Sequence, residues 1–329
     1  MTIDAVAPST ALACVEPAPE PQNEAYFRSD QQAEIRQCYD KNGYVVVRGL
    51  IPGQLCDRAR ALFTDEVRPF TGFIYRQASA NPERHILSNH GFMLNTILNV
   101  QSLNPRYFAG FRRAGVEILT YRELQRVVGS ILGEPGKLVQ SMFFEGNPET
   151  WAHQDTYYLD AEEIGRMTAA WIAIEDIAPG AGRFFVCPTS HVFDMAKNGG
   201  DFDVAFHHER YKSLVQRIIR EQGLVYEAPA LWKGDVLFWA AKTIHGSLPT
   251  ADPAHSRSSF TAHFIPESSR FLQYQSRIKP LKTRLINGLT VHHPKDLAKA
   301  SNRAVFFVET RFPWLFQAAK KLVIKLVTR

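Results

Sequence analysis

The second half of the chain contains a series of short apolar or alternating segments, which constrain the fold more than any other feature. From residue 137 onward the segments KLVQSMFF, TAAWIAIEDI, GRFFVCP, DVLFWAA and SSFTAHFI are separated by Gly, Pro, Asn or Asp. Segments of this length between turn residues indicate β-strands, and several in succession indicate a sandwich or barrel. The sequence therefore predicts a mainly β domain with surrounding helices.

Helical patterns flank these strands. Residues 29–30 (Ser-Asp) resemble an N-cap before QQAEIRQCYDKN, and Gly43 is expected to end that helix. Pro52 predicts the start of a second helix, and apolar spacing over residues 118–133 predicts a third. The segment 201–223 is expected to form a helical or loop insertion among the strands.

Composition excludes several classes of protein. Hydrophobic residues make up 45% of the 329 residues, which is too many for a disordered chain. A membrane-spanning helix needs about 18 consecutive apolar residues, and no such run occurs. The four cysteines form no CxxC pair, so we expect reduced thiols rather than a thiolate zinc site. The N-terminus does not resemble a signal peptide, so the predicted location is cytoplasmic.

Charge and composition divide the chain into three parts. Residues 1–25 are rich in Ala, Pro and Glu and are predicted to form a disordered tail. Residues 26–270 are predicted to form the main domain, and 271–329 a basic extension. From Ser256 to the end there are 14 Lys and Arg but only 3 Asp and Glu. This surplus suits an anionic substrate, a membrane surface or simply a solvated basic face. A nucleic acid is not the predicted partner, because no interleaved aromatic and basic platform is present.

The extension ends in a predicted amphipathic helix. Residues 314–328 place Leu, Phe, Ala and Val on one arc and mostly Lys, Gln and Thr opposite, with Trp314 at the start. A helix of this kind can pack on its own domain, bind a partner groove or lie on an anionic membrane. Peripheral membrane contact through residues 314–329 therefore remains one interpretation. The sequence does not indicate an oligomeric state.

The most specific local feature is the segment WAHQD at residues 151–155. If this segment is a strand, His153 and Asp155 point to the same side. Two histidines and one carboxylate form the facial triad of non-haem Fe(II) oxygenases, so a third ligand is needed. His245 is the best candidate, because it follows a strand-like run and precedes Gly246. Arg257 follows in a segment expected to lie beside it, and a guanidinium can hold a carboxylate in a bidentate manner.

These motifs resemble the phytanoyl-CoA dioxygenase family of Fe(II)/2-oxoglutarate dioxygenases. Asp155 and His245 are 90 residues apart, which fits the family pattern, and Arg257 follows His245 by 12 residues, about as far as is usual there. NGYVVVRGLIPGQLCDRARALF resembles the family's opening strand and helix, and GRFFVCPTSH resembles its glycine-to-PGSH segment, with Thr189 where Gly is usual. A second departure is FFEGNP at 143–148, where relatives often have a Lys. The resemblance covers roughly residues 30–265.

The resemblance implies a double-stranded β-helix, which is a cupin-like jelly roll, and an enzyme that uses Fe(II), 2-oxoglutarate and O2. It assigns metal binding to His153, Asp155 and His245, with no catalytic group beyond the metal centre. It assigns 2-oxoglutarate binding to Arg257, Ser247, Gln140 and Trp171. Tyr157, Tyr158 and Arg183 are candidates for contacting the substrate.

The resemblance also narrows the reaction. Halogenating relatives have Ala or Gly at the position of Asp155, so its presence favours hydroxylation. Desaturation, epoxidation or ring chemistry stay open. The favoured substrate is a lipid, glycolipid, acyl thioester or other anionic small molecule. The alternatives are a natural-product tailoring oxygenase acting on a soluble metabolite and a catalytically silent jelly-roll binding module.

Overall fold

A mixed sheet of nine strands runs through the computed structural model, which describes residues 26–193, 195, 208–274 and 277–318. The strands of the described part follow in chain order. They are β1 (Tyr26–Phe27), β2 (Tyr44–Val47), β3 (Ile74–Tyr75), β4 (Pro82–Glu83), β5 (Ile97–Leu98), β6 (Gly136–Phe144), β7 (Leu159–Ala161), β8 (Thr168–Ala173), β9 (Phe184–Val186), β10 (Val236–Ala240), β11 (His245–Ser247), β12 (Ser259–Pro266), β13 (Phe271–Gln273), β14 (Arg277–Ile278), β15 (Thr283–Ile286) and β16 (Leu289–His292).

The large sheet has the order β1-β2-β10-β8-β12-β6-β16-β15, and β5 also pairs with β6. Smaller sheets are formed by β11 with β9, by β14, β13 and β7, and by β3 with β4. Strands that neighbour each other in space are mostly distant in sequence and antiparallel, as in a jelly roll. The predicted mainly β jelly roll is therefore confirmed.

The two faces of the large sheet pack against different partners. On β8, Ala170 and Ile172 join the apolar core that contains the N-terminal helices. Ala169 and Trp171 point to the opposite face and pack with Phe184 of β9. This alternation follows from the two-residue period of a strand. It places the small β9–β11 sheet over the inner face of the large sheet, where the predicted site residues lie.

Six α-helices with both ends in the described part of the chain surround the strands. They are α1 (Gln32–Asn42), α2 (Gly53–Leu62), α3 (Ala109–Leu119), α4 (Arg122–Leu132), α5 (His208–Glu221) and α6 (Ala300–Arg311). Gly43 ends α1 as predicted, with a left-handed φ of 77° and its amide bonded to the Tyr39 carbonyl. The predicted N-cap at residues 29–30 is wrong, because Gln31 occupies that position. The predicted second helix begins after Pro52, and the 201–223 insertion contains α5.

The predicted helix over residues 118–133 is wrong at its start. Residues 118 and 119 end α3, and the backbone then breaks at Thr120 and Tyr121 before α4 begins. The Thr120 hydroxyl donates to the Val116 carbonyl, and the Gln125 amide donates to the Thr120 carbonyl. These local hydrogen bonds satisfy the helix ends at the break, so the apolar periodicity continues across two helices.

The C-terminal segment shares hydrogen bonds with the main domain. β16 pairs in parallel with β6 through Val291 and Leu138, and β15 pairs with β16. Of the predicted terminal helix, residues 314–318 are helical, whereas residues 319–329 lie outside the described part. The predicted tail at 1–25 also lies outside it.

Candidate metal centre

Two backbone hydrogen bonds hold His153 against His245. The His153 amide donates to the His245 carbonyl at 3.0 Å, and the His245 amide donates to the His153 carbonyl at 2.9 Å. This exchange forms an isolated antiparallel bridge at the first residue of β11. The two imidazole rings lie 4.3 Å apart between centroids. Backbone pairing therefore fixes the relative position of these two side chains.

Asp155 does not lie on a strand, so that part of the prediction is wrong. It begins a 3-10 turn, Asp155–Tyr157, after Gln154 in an extended conformation. The Gln154 side chain donates to the Phe193 carbonyl and so anchors the chain between His153 and Asp155. The turn nevertheless brings Asp155 Oδ1 to 3.6 Å from His153 Nε2 and 3.5 Å from His245 Nε2.

These three side chains meet the geometric requirement for binding one metal ion. One ligand atom from each of His153, Asp155 and His245 lies within 4.8 Å of the others, and all three side chains are buried. His153 Nδ1 donates to the Trp151 carbonyl at 2.8 Å, and His245 Nδ1 donates to the Thr243 carbonyl at 2.9 Å. Because a carbonyl can only accept, both Nδ1 atoms carry a proton, and the Nε2 atom of each ring is the one that faces Asp155.

The second oxygen of Asp155 is engaged by the large sheet. Trp239 Nε1 donates to Asp155 Oδ2 at 2.9 Å, and His263 Nε2 lies 3.5 Å from the same oxygen. Burial raises the pKa of this carboxyl, but His245, His263 and hydrogen bonds together lower it well below its usual value. Burial lowers the pKa of His245 to about 4. At neutral pH the site therefore offers an ionised carboxylate and, at His245, a neutral imidazole, which are the protonation states that bind metal.

Trp239 is a site residue that sequence reasoning missed. It lies on β10 on the same face as Leu237, opposite the helix-facing Phe238. The sequence predicts a strand at DVLFWAA, but a tryptophan on such a strand is most often part of the hydrophobic core. Only the contact with Asp155 distinguishes this tryptophan from a core residue.

Arg257 is buried and has no carboxylate partner among the described residues. It is 2% exposed, its Nη1 donates to the Gly182 carbonyl at 3.3 Å, and it lies over the Phe144 ring. Burial lowers the pKa of its guanidinium to about 9. A buried cation without a counter-charge is expensive and indicates that an anion binds there.

The strand that follows Arg257 does not pair with the strand that begins at His245, so the prediction of adjacent strands is wrong. Arg257 precedes β12, which pairs with β6 and β8, whereas β11 pairs with β9. The loop is held by Glu175, which accepts from the Ser256 hydroxyl and the Ser258 amide. The connection to β11 runs through Gly182, which precedes β9 by two residues.

The three other residues predicted to bind 2-oxoglutarate have different surroundings. Gln140 is half-buried on β6, in register with His263 on β12, so both side chains share the inner face. Trp171 of β8 is buried on the same face and packs with Phe184, which also contacts Trp239. The Ser247 hydroxyl donates to Asn147 Oδ1 and accepts the Thr150 amide, so its hydrogen bonds tie β11 to the loop before His153.

The three candidates for contacting the substrate have different surroundings. Tyr158 is half-buried and meets the His153 ring edge-on at 5.8 Å. Tyr157 is buried and stacks on Tyr211 of α5 with parallel rings 3.6 Å apart. Arg183 is half-buried between Gly182 and β9, and its carbonyl accepts the Leu248 amide. Tyr158 therefore has the clearest contact with the candidate metal centre.

The two departures from the family pattern have structural counterparts. Thr189 adopts a left-handed backbone with φ 63°, a conformation that glycine adopts without strain. Glu145 in FFEGNP is buried, pairs with Arg68 and accepts the Met93 amide. The carboxylate therefore serves a local ion pair and loop contact in that segment.

Comparison with known proteins supports the resemblance. The family model described as phytanoyl-CoA dioxygenase matches residues 39–257. The human peroxisomal phytanoyl-CoA dioxygenase is 22% identical over 259 residues, covering 73% of this chain and 70% of the human protein. The bovine peroxisomal phytanoyl-CoA dioxygenase is 22% identical over 274 residues, covering 78% of this chain and 75% of the bovine protein.

Solved structures share the fold at low sequence identity. The α-ketoglutarate-dependent epimerase SnoN from nogalamycin biosynthesis matches with a TM-score of 0.54 and 14% identity, covering 76% of this chain and 92% of its own. EctD from S. alaskensis with bound Fe matches with a TM-score of 0.50 and 19% identity, covering 80% and 85%. The architecture is therefore shared well beyond recognisable sequence similarity.

Proposed function

Because the chain belongs to the phytanoyl-CoA dioxygenase family and is an Fe(II)- and 2-oxoglutarate-dependent dioxygenase, we propose that His153, Asp155 and His245 hold its iron. The convergence of these three ligand atoms within 4.8 Å carries the proposal. Two imidazoles and one carboxylate are the donor set of a facial triad, which leaves other metal positions open. Both Nδ1–H groups are already bonded to carbonyls, so the free Nε2 atoms fit the metal without rearrangement.

Arg257 is proposed to bind the far carboxylate of 2-oxoglutarate. Its burial without a carboxylate partner is the observation that fits an anionic cosubstrate. A guanidinium pairs with a carboxylate through two parallel hydrogen bonds, which fixes orientation as well as position. Gln140 and Trp171 are proposed to line the same space, because both lie on the inner face of the sheet. Ser247 is proposed to act beside Arg257.

The protein's contribution to the reaction is to position reactants and exclude water. Iron, 2-oxoglutarate and O2 together supply the oxidising power for an unactivated C–H bond. Trp239 and His263 hold one oxygen of Asp155, which leaves the other directed at the two histidines. Burial of all three ligands keeps bulk water from the reacting atoms. Because Asp155 occupies the carboxylate position, hydroxylation is the proposed outcome.

The proposed substrate is a lipid, glycolipid, acyl thioester or other anionic small molecule. The basic C-terminal segment supports this class, with 14 Lys and Arg against 3 acidic residues from Ser256 onward. Tyr158 and half-buried Trp151 next to His153 offer an aromatic surface for an apolar group. The same surface suits a ring-containing soluble metabolite, and tailoring of such a natural product is the second candidate. SnoN, whose named role is in nogalamycin biosynthesis, gives a precedent on this fold.

A cytoplasmic location is proposed for the protein, with peripheral membrane contact through residues 314–329. Phe307, Phe312 and Trp314 are 56%, 46% and 73% exposed, and basic residues follow in the sequence. Exposed aromatics beside cations favour an anionic membrane surface. Within the described residues, no helix has the length and apolarity needed to span a bilayer. Cosedimentation with anionic vesicles that weakens with salt is the expected result, and full-length protein that stays in the supernatant would contradict it.

Anaerobic titration of the purified protein with Fe(II) and 2-oxoglutarate tests the proposed cofactor site. We expect a weak visible charge-transfer band that is absent in His153→Ala and needs far more 2-oxoglutarate in Arg257→Ala. Arg270→Ala is the matched control, because Arg270 is exposed and pairs with Glu162 at the surface. Iron bound by the wild type without any band would instead support a silent jelly-roll module.

A further inference from the structure

A cavity of about 1110 Å³ lies between residues 70–108 and residues 279–316. Its walls come from residues 70–84, residues 98–108 and residues 279–316. None of the side chains proposed to bind iron or 2-oxoglutarate lines it. This volume slightly exceeds the roughly 300–1,000 Å³ typical of pockets that hold small organic molecules, so the cavity is large enough for such a ligand.

The lining of this cavity is strongly cationic. It contains seven basic side chains and a single carboxylate, that of Glu309. The basic side chains are Arg84, Arg106, Lys279, Lys282, Lys295, Arg303 and Arg311. A concave surface of one charge sign concentrates counter-ions of the opposite sign.

Protein groups do not neutralise this charge within the described part of the chain. Glu309 is occupied by Lys295 at 3.6 Å and by the Tyr75 hydroxyl at 2.6 Å. Arg84 and Arg303 donate only to backbone carbonyls. The other four cations, Arg106, Lys279, Lys282 and Arg311, have no acidic partner among the described residues. Most of the positive charge is therefore available to a ligand.

The cations also repel one another. Burial lowers the pKa of Lys279, and the neighbouring Arg277 and Lys295 lower it further. An anion bound among these groups would relieve both effects, because an opposite charge favours the protonated amine. The like charges therefore lie close together at a cost that an anionic ligand offsets.

Aromatic rings form the other part of the lining. Phe70 packs against Tyr107 at 5.1 Å and against Phe108 at 4.8 Å between ring centroids. Tyr75 meets Phe306 of α6 edge-on at 5.2 Å. Tyr107 is 57% exposed although its neighbours pack on it. Exposed aromatic surface beside cations fits a molecule with an anionic head and an apolar body.

We propose that this cavity is a second binding site, separate from the metal centre, for a phosphate or pyrophosphate ester that carries an apolar group. Arg106, Lys279, Lys282 and Arg311 recognise the phosphoryl oxygens, and the Phe and Tyr rings contact the apolar group. Both a membrane lipid headgroup and a free organic phosphate have this chemistry. Binding here fixes an amphiphilic anion against the segment that joins the catalytic domain to its basic C-terminus.

Isothermal titration calorimetry of the full-length, metal-free protein tests the site with soluble dihexanoyl phosphatidic acid. Dihexanoyl phosphatidylcholine is the control lipid, because its choline cancels the charge. We expect saturable binding of the phosphatidic acid that is about tenfold weaker in Lys279→Gln/Lys282→Gln. Lys41→Gln/Arg217→Gln removes two exposed charges elsewhere and should bind like the wild type. Excess 2-oxoglutarate should not compete, since the metal centre is separate.

The outcomes separate this site from the proposed enzymatic function. No saturable binding by the wild type, equal binding by both double variants, or competition by 2-oxoglutarate would each overturn the proposal. Because no iron is present, failure of the charge-transfer experiment would leave this result unaffected. Two further arms identify the source of the phosphate. Binding of phosphatidic acid vesicles indicates a lipid headgroup, whereas binding of inorganic pyrophosphate alone indicates a soluble phosphate.

Discussion

The indole Nε1–H of Trp239 donates to Asp155 Oδ2 at 2.9 Å, while Asp155 Oδ1 faces the imidazoles of both histidines. One carboxylate oxygen is thus bound by the large sheet and the other is directed toward the metal position. A buried donor of this kind fixes the rotamer of a ligand and tunes its basicity. Trp239 consequently connects the large sheet to the metal-binding chemistry.

Removing this hydrogen bond should weaken iron binding without unfolding the protein. Trp239→Phe keeps an aromatic ring in the core but leaves Asp155 Oδ2 without its indole donor. We expect an affinity for Fe(II) about 10-fold to 100-fold lower, measured by anaerobic titration. Trp232→Phe is the control, because Trp232 is 54% exposed and not part of the site. Unchanged iron affinity in Trp239→Phe would show that packing alone positions Asp155.

Gly246 permits the close approach of β11 to the loop that carries His153. A Cβ at this position would lie 2.6 Å from the Thr150 carbonyl and 2.9 Å from the Phe185 ring. Gly246→Ala should therefore lower the free energy of unfolding by about 1–3 kcal/mol. It should also weaken iron binding, because His245 is the adjacent residue. Urea unfolding and Fe(II) titration measure the two effects.

The control for this change is Gly53→Ala at the start of α2. A Cβ there would meet only the flexible Lys233 side chain at 3.4 Å. We expect no loss of stability and no change in iron binding. A loss of stability in Gly53→Ala as large as in Gly246→Ala would contradict the steric explanation.

Thr189 is a position where glycine should stabilise the protein. The residue is exposed and has a left-handed φ of 63°, which a β-branched side chain adopts only with strain. Thr189→Gly should relieve that strain, partly offset by the larger backbone entropy of glycine in the unfolded chain. We expect a net gain of about 0.5–1 kcal/mol in chemical denaturation. Thr189→Val should remain strained and fail to stabilise, whereas equal stability of all three proteins would contradict this account.

Buried His292 should make the iron-free protein sensitive to acid. Burial, together with Lys279, His293 and Lys282, lowers its pKa to about 4 from 6.5. Between pH 6.5 and 4 the unfolded chain binds a proton that the folded chain excludes, so stability falls as pH falls. Each pH unit in this window costs about 1.4 kcal/mol per histidine.

Replacing His292 should reduce this dependence. His292→Asn keeps an acceptor for the Lys282 amide, which donates to His292 Nδ1 at 2.9 Å, but cannot titrate. Urea unfolding at pH 7, 6 and 5 should give a shallower loss of stability for the variant than for the wild type. His90→Asn, at an exposed position, should leave the wild-type dependence unchanged. Parallel curves for all three proteins would refute the assignment.

Sequence patterns predicted the fold better than the details of the site. Alternating strands such as β8 and β12 were correctly predicted because their two faces meet different apolar surroundings. The prediction that the strand after Arg257 lies next to the strand of His245 was wrong. Strand order depends on contacts between distant parts of the chain, which local periodicity does not encode. The same limit explains the break at Thr120, where apolar periodicity continues across two helices.

The site followed from spacing, whereas its local geometry did not. His153, Asp155 and His245 do converge, but Asp155 reaches the centre from a 3-10 turn rather than from a strand. Trp239 was not recognised because a buried tryptophan is ordinarily core, and only its contact with Asp155 gives it another role. Side-chain roles that depend on a single tertiary contact leave no pattern in the sequence.

The backbone bridge between His153 and His245 joins positions 92 residues apart along the chain. Closing so long a loop costs configurational entropy, and favourable contacts in the surrounding sheets must offset this cost before the metal ligands can come together. A chelate assembled in this way has no precursor in the unfolded polypeptide. Metal occupancy should therefore report on the integrity of the whole jelly roll, and chelators should lower the thermal unfolding temperature of the iron-loaded protein.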